Sequence, residues 1–211
     1  MILLSFDTAL NKTYVTLSKD GKILESKIVE NTEDNYHSAF LISTIKEILK
    51  ENNLKPQDIN LLAVNIGPGS FTGIRASLTV AKVTAQELNI KIVPVESLQI
   101  LSKLNPTEKE TLVALDARRD MAYVYNTNDN QTKLVSINEL KQIVKEKDYF
   151  IITDKNTSNT LNLSNNLIYE QEETNLGIIL NNIAYEKQNF ALKANELQAL
   201  YIQPPPIFVK K

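Results

Sequence analysis

Two aspartates sit where apolar runs end: Asp7 after Ile2 to Phe6, and Asp116 after Leu112 to Leu115. A carboxylate at a strand end can hold a hydrated magnesium ion or orient a nucleophile, or it can cap the turn that follows. Beside the second aspartate lie Arg118 and Arg119, two of the chain's three arginines, Arg75 being the third. A guanidinium is a planar, two-pronged donor suited to phosphate or carboxylate. Adjacent residues of a strand point to opposite faces, so one of the pair is expected to reach a site. The last candidate is Ile66-Gly67-Pro68-Gly69-Ser70-Phe71-Thr72-Gly73-Ile74-Arg75, which holds three of the five glycines. A glycine turn stiffened by proline can bring free amides close to an anion or to another backbone.

Neither familiar phosphate loop fits that turn. A Walker loop needs Lys-Ser or Lys-Thr after its final glycine, and Gly73 is followed by Ile74-Arg75. A dinucleotide fingerprint places glycines first, third and sixth, whereas Gly67, Gly69 and Gly73 stand first, third and seventh. What remains is a strand-to-helix turn with Ser70 as its N-cap. The single histidine, His37, rules out a two-histidine metal centre, and with no cysteine an ordinary zinc site cannot form. Its place beside Tyr36 and Phe40 fits a capping or interface role better than a catalytic one.

The elements that would position these residues follow from periodicity. Ile2 to Phe6, Tyr14 to Ser18 and Ile23 to Val29 read as strands, the last two joined at the hairpin dipeptide Asp20-Gly21. From Tyr36 to Lys50, Ser38, Leu41, Ile45, Ile48 and Leu49 recur at helical spacing, with Tyr36 and Phe40 on another side. Leu61 to Ile66 reads as a central parallel strand ending in the glycine turn. A helix with Ile74, Leu78, Ala81, Ala85 and Leu88 inward follows, and then a strand over Ile90 to Val95.

The second half opens in the same way. Asp7 precedes Tyr14 by seven positions, and Asp116 precedes Tyr123 by the same number, which suggests a duplicated unit. Further on, Ile137 to Lys147 and Leu176 to Glu186 read as helices and Tyr149 to Thr153 as a strand. Leu200-Tyr201-Ile202 reads as a terminal strand or a packed tail. The expected division is residues 1–96 and 97–211, the tail returning to the body.

At 211 residues and 43% hydrophobic, the chain can build real cores. It has no apolar run of membrane-spanning length, and its opening reaches Asp7 too soon for a signal peptide, so a cytoplasmic protein is expected. A net charge of −2 argues against a chain that grips nucleic acid by itself.

The glycine turn and its preceding Leu61 to Val64, together with Phe6-Asp7-Thr8-Ala9, Tyr36-His37-Ser38, Leu115 to Arg119 and Leu200-Tyr201-Ile202 with its prolines, resemble the TsaB (YeaZ) family over nearly the full length. That family takes part in making threonylcarbamoyladenosine in tRNA. The resemblance implies an α/β, actin-like (ASKHA) fold of two related subdomains. It implies a non-catalytic subunit that pairs with the catalytic relative TsaD and is joined by the ATPase TsaE, reaches tRNA only through the complex, and forms homodimers when alone. No cofactor is implied. TsaD holds a metal through two histidines just after the strand matching Ile90 to Val95, and here that stretch reads Glu96-Ser97-Leu98-Gln99-Ile100-Leu101. The pairing surface would use the first two helices, with Tyr36, His37, Phe40, Phe71, Thr72 and Arg75 as contacts. Asp7-Thr8-Ala9 lacks the glycine of an actin-like ATPase turn, which leaves at most a vestigial nucleotide or anion site at Asp7, Thr8, Asp116, Arg118 and Arg119. The rival reading is a small actin-like ATP-dependent phosphotransferase, with Asp7 and Asp116 flanking magnesium-ATP.

Overall fold

Apolar residues on both faces of Ile2 to Phe6 demand a strand covered on both sides, and β1 (Ile2–Asp7) is buried throughout. The computed structural model describes residues 1–30 and 40–202. It contains two compact units, Met1–Lys103 with Glu173–Leu200, and Leu104–Glu172 with Tyr201 and Ile202.

In the first unit β2 (Thr13–Lys19) and β3 (Lys22–Val29) continue antiparallel from β1. They are joined at Asp20 and Gly21, both at positive φ, as a two-residue hairpin with right-twisted strands requires. Helix α1 (Leu41–Glu51) leads to β4 (Leu61–Asn65), and α2 (Phe71–Leu88) leads to β5 (Lys91–Val95). The order β3-β2-β1-β4-β5 makes a mixed sheet whose right half is parallel. Pro94 is tolerated because β5 is the sheet's edge, where a missing amide leaves no ladder bond unmade. Phe6, Leu62, Val64, Ile48, Ile74 and Ala81 meet in the core under α1 and α2.

A short helix α3 (Ser97–Ser102) follows β5. The second unit contains β6 (Thr111–Arg118), β7 (Met121–Asn126), β8 (Gln131–Ser136), α4 (Ile137–Glu146), β9 (Phe150–Thr153), α5 (Lys155–Leu161) and β10 (Leu167–Ile168). Its sheet order is β10-β9-β6-β7-β8, the first sheet's order with β6 in the place of β1. Each unit is therefore one copy of the same β-β-β-α-β-α-β plan, the actin-like α/β fold with two related subdomains.

The matching seven-residue spacing hides a difference in register. Asp7 pairs directly with Tyr14, whereas Asp116 pairs with Ala122 and Tyr123 faces Leu115, because a bulge lies between Asp116 and Arg118. Helix α6 (Leu176–Glu186), which the sequence sets in the second half, packs on the first sheet. Gly177 lies against Tyr14 and Thr16, and the buried Asn181 donates to Ser5 Oγ at 2.9 Å. Residues 195–200 form no strand; Leu197 is buried and the Leu200 amide donates to Ile66 O at 2.9 Å, so this segment is a packed tail.

Candidate protein interface

The glycine turn is a junction between two backbones. Gly67, at φ 103°, donates its amide to Asn65 Oδ1 at 2.9 Å, and the chain passes through the buried Pro68 to Gly69. Ser70 caps α2, its Oγ accepting the Gly73 amide at 3.2 Å. The helix start then runs against the end of β1: the Ser70 amide donates to Ala9 O at 2.9 Å and Thr8 Oγ1 donates to Gly73 O at 2.6 Å. A Cβ on Gly73 would stand 1.7 Å from Thr8 O, and one on Gly69 2.4 Å from Ala9 O. Of the two options open to the turn's amides, an anion or another backbone, those of Ser70 and Gly73 are taken up by Ala9 O and Ser70 Oγ.

Asp7 and Asp116 each accept from the turn that follows them. Asp7 Oδ1 receives the Ala9 amide at 2.6 Å, and Asp116 Oδ1 the Arg118 amide at 2.7 Å. Asp116 is half-buried, and its own amide donates to Asp154 Oδ2 at 2.6 Å, while Asp154 Oδ1 caps α5 through the Thr157 amide. Arg118, Arg119 and Asp120 have φ of 63°, 54° and 58°, a left-handed run without glycine. Arg119 and Asp120 are the two residues of the hairpin loop closed by the Arg118 and Met121 pair. Arg118 therefore ends β6 and Arg119 lies in the turn, both with left-handed backbone rather than the extended backbone of alternating strand positions, and both are exposed. Among the described residues no three acidic or histidine side chains gather as metal ligands would.

Asp7 itself is buried, and burial pushes its carboxyl up to about 6, against the lowering pull of the Ala9 amide, the Asn65 side chain and the Leu10 amide. Asp7 Oδ2 and Asn65 Nδ2 both lack a completed hydrogen bond, so the Asn65 amide moderates the charge without satisfying it. The folded protein thus holds the Asp7 proton more tightly than the unfolded chain does. That contribution to stability is complete below the ordinary carboxyl value and is lost as pH rises through about 6. Asp7→Asn, which keeps an acceptor for Ala9, removes it. Its stability relative to wild type is expected to improve by roughly 2 kcal/mol between pH 4 and pH 7 in urea titrations. A pH-independent difference would show that folding does not raise the Asp7 carboxyl.

The surface above the first sheet is of another kind. Between α1 and α2 runs a groove of about 360 Å³, floored by Leu4 and Phe6 and walled by Ile42, Ile45, Val80 and Val83. Ile42 is 55% exposed and Val83 57%, with Phe40 at 39% and Phe71 at 46% near the helix starts. Arg75 lies over the Phe71 ring, its Cζ 5.3 Å from the centroid. The helix α1 is held to the sheet from its other side, where Lys27 of β3 pairs with Glu25 at 3.5 Å, with Glu47 at 3.2 Å and with Glu51. Of the expected contacts, the structure brings Phe71, Thr72 and Arg75 to the exposed start of α2 and puts Phe40 at the N-cap of α1. Tyr36 and His37 lie outside the described residues. Ile42, Val80 and Val83 were not singled out by sequence. Their signal was the absence of charge along Thr72, Ala76, Thr79, Val80, Val83 and Thr84, a side of a surface helix that would ordinarily be polar.

A family model described as TsaD, tRNA N6-adenosine threonylcarbamoyltransferase, matches residues 25–192. The tRNA threonylcarbamoyladenosine biosynthesis protein TsaB of Buchnera aphidicola from Acyrthosiphon pisum is 24% identical over an alignment of 221 positions that covers 96% of this chain and 98% of its own. The Bacillus subtilis protein of the same name is 30% identical over 125 residues, 58% of this chain and 53% of its own. Among solved structures, YeaZ from Pseudomonas aeruginosa superposes with a TM-score of 0.70 at 19% identity, covering 95% of this chain and 99% of that one, which shows the shared fold. With the duplicated topology, the packed glycine turn and these matches together, the chain belongs to the TsaB (YeaZ) family, tRNA threonylcarbamoyladenosine biosynthesis proteins related to the transferase TsaD.

Proposed function

We propose that this chain is a non-catalytic subunit that pairs with TsaD through the outer faces of α1 and α2 and supports the transferase in forming threonylcarbamoyladenosine beside the anticodon of tRNA, with the ATPase TsaE joining the assembly. The observation that carries this reading is the apolar groove with Ile42, Val83, Phe40 and Phe71 exposed along and beside it. An apolar patch of that kind on a folded unit marks a protein contact. Two helices facing two from a partner would bury it as a four-helix layer. The same patch would serve a homodimer when the chain is alone.

The absence of catalysis is supported by residue types. The stretch aligned by resemblance with the metal histidines of TsaD is built into the core: Leu98, Ile100 and Leu101 are fully buried, and Ser97 Oγ donates to Asn65 Oδ1 at 2.9 Å. Two of the turn's amides, those of Ser70 and Gly73, are engaged by Ala9 O and Ser70 Oγ, which weakens the phosphotransferase reading.

Reconstituted tRNA threonylcarbamoylation is the test. With TsaD, TsaE, the adenylate-forming enzyme and tRNA from the same organism, product is expected only when this chain is added, and none from the chain alone. Full activity without it would remove the scaffold reading.

A further inference from the structure

The end of α2 and the start of β5 meet residues 193–195 around a concavity of about 590 Å³. Its polar lining is Lys82, Gln86, Asn89, Lys91, Lys193 and Asn195, over an apolar floor, with no carboxylate. None of the three lysines forms an ion pair among the described residues. Two acidic residues stand next in sequence to the lining, Glu87 beside Gln86 and Glu196 beside Asn195, and Glu196 accepts the Lys193 backbone amide at 2.7 Å.

The fold gathers these cations from separate pieces of chain. Asn89 ends α2 at φ 52° and turns it into β5. Leu192 exchanges two backbone hydrogen bonds with Ile92, at 2.9 and 2.8 Å, which sets Lys193 alongside Lys91. A helix carboxyl terminus favours lysine through its dipole, but Lys82 lies before the last turn of α2 and Lys91 and Lys193 are not helical, so the dipole gathers none of the three. Two residues before Leu192, Phe190 is 75% exposed on a short helical turn. Lysine and side-chain amides around a cavity, with an exposed aromatic ring nearby in the chain, are the donor set that grips a nucleic-acid backbone and stacks an unpaired base.

We propose that this concavity holds backbone phosphates of the RNA on which the assembly acts: the lysines neutralise charge, the amides of Gln86, Asn89 and Asn195 donate to phosphate oxygens, and Phe190, three residues before Lys193 in the chain, offers a stacking face. This rests on the assembly reading above, and it adds an RNA contact made by this chain within the complex. A net charge of −2 makes the isolated chain a poor RNA binder but does not prevent a local contact from contributing beside a partner's. The concavity and the apolar groove both draw on α2, through Lys82 and Ala85 in one and Val83 and Thr84 in the other.

The test compares wild type, the triple variant K82E/K91E/K193E, and a control of equal charge change in the second unit, K133E/K141E/K145E, each reconstituted with TsaD. Co-elution and the affinity for fluorescent tRNA at several salt concentrations are read on the same samples. The triple variant is expected to co-elute normally, to bind tRNA at least about 10-fold more weakly, and to lose about 2 from the slope of log K against log salt, as two to three lost phosphate contacts require. The control is expected to match wild type. Unchanged tRNA affinity, a loss equal to the control's, or loss of co-elution, which would make the patch a protein contact, each overturns the proposal. If wild type itself fails to co-elute, the scaffold reading falls, and the pocket is judged on the isolated chain at low salt. There, wild-type binding no tighter than that of the triple variant overturns it.

Discussion

Ile42→Asp and Val83→Asp are each expected to weaken pairing with TsaD by at least about 100-fold, and together to abolish co-elution, with both monomers still folded. Each native side chain is more than half exposed in the monomer and lines the groove. Covering such a side chain in an interface contributes about 1.5–3 kcal/mol, and an unpaired carboxylate under an apolar partner costs a few kcal/mol more. At about 1.4 kcal/mol per tenfold, two orders of magnitude is the lower bound. The monomer loses little, since both positions already face solvent, and its Tm should stay within about 3 °C of wild type. Phe71→Asp and Phe40→Asp at the helix starts serve as companions. At position 71 the new carboxylate would lie one turn from Arg75 and find a partner, so its effect should be milder, about tenfold. Normal co-elution of the Ile42 and Val83 variants would move the interface off this face.

The second large effect concerns folding. Gly73→Ala is expected to destabilise the protein by about 4 kcal/mol or more, lowering Tm by about 10 °C or leaving it aggregated. The added methyl would meet Thr8 O at 1.7 Å, a backbone atom fixed in β1's exit and tied to the helix by Thr8 Oγ1. Neither side can yield without parting the helix from the sheet. Gly177→Ala is the comparison. There the nearest atoms are Thr16 Oγ1 at 2.7 Å and Tyr14 Cβ at 2.8 Å, a much smaller overlap than 1.7 Å, so a smaller loss is expected. A phosphate-binding loop behaves in the opposite way, keeping its fold and losing its ligand on the same substitution. A Gly73→Ala protein as stable as wild type would therefore reopen the nucleotide reading, and thermal melts of the two variants decide it.

Much of the architecture was legible because it is local. Asp20-Gly21 specifies a two-residue hairpin by its tolerance of positive φ, Ser70 specifies a cap by its hydroxyl, and the inward stripe from Ile74 to Ala85 specifies which face of α2 meets the sheet. The short pieces of the second unit, α5 and the two-residue β10, escaped because they carry too few residues to show a period. Strand β8 escaped because Gln131 to Ser136, only partly buried at the edge strand beside β7, lacks an apolar run.

What the sequence determined by itself is the set of local commitments: a duplicated strand-aspartate-turn plan, a glycine turn at a helix start, and helices whose inner faces are apolar. What only the tertiary structure decided is what each local feature meets. Gly73 and Thr8 are 65 positions apart, so whether the turn's amides face a phosphate or the end of β1 depends on which backbone the fold brings there. Likewise, α6 reads as a helix wherever it is placed, but its docking on β1 through Gly177 and Asn181 depends on the sheet it reaches. The interface follows the same rule. Val83 is as apolar as the buried Val64, and only the packing of α1 beside α2 leaves one in the groove and the other in the core. Local pattern is written in neighbouring residues, whereas exposure is a property of the assembled surface, which no short stretch of chain contains.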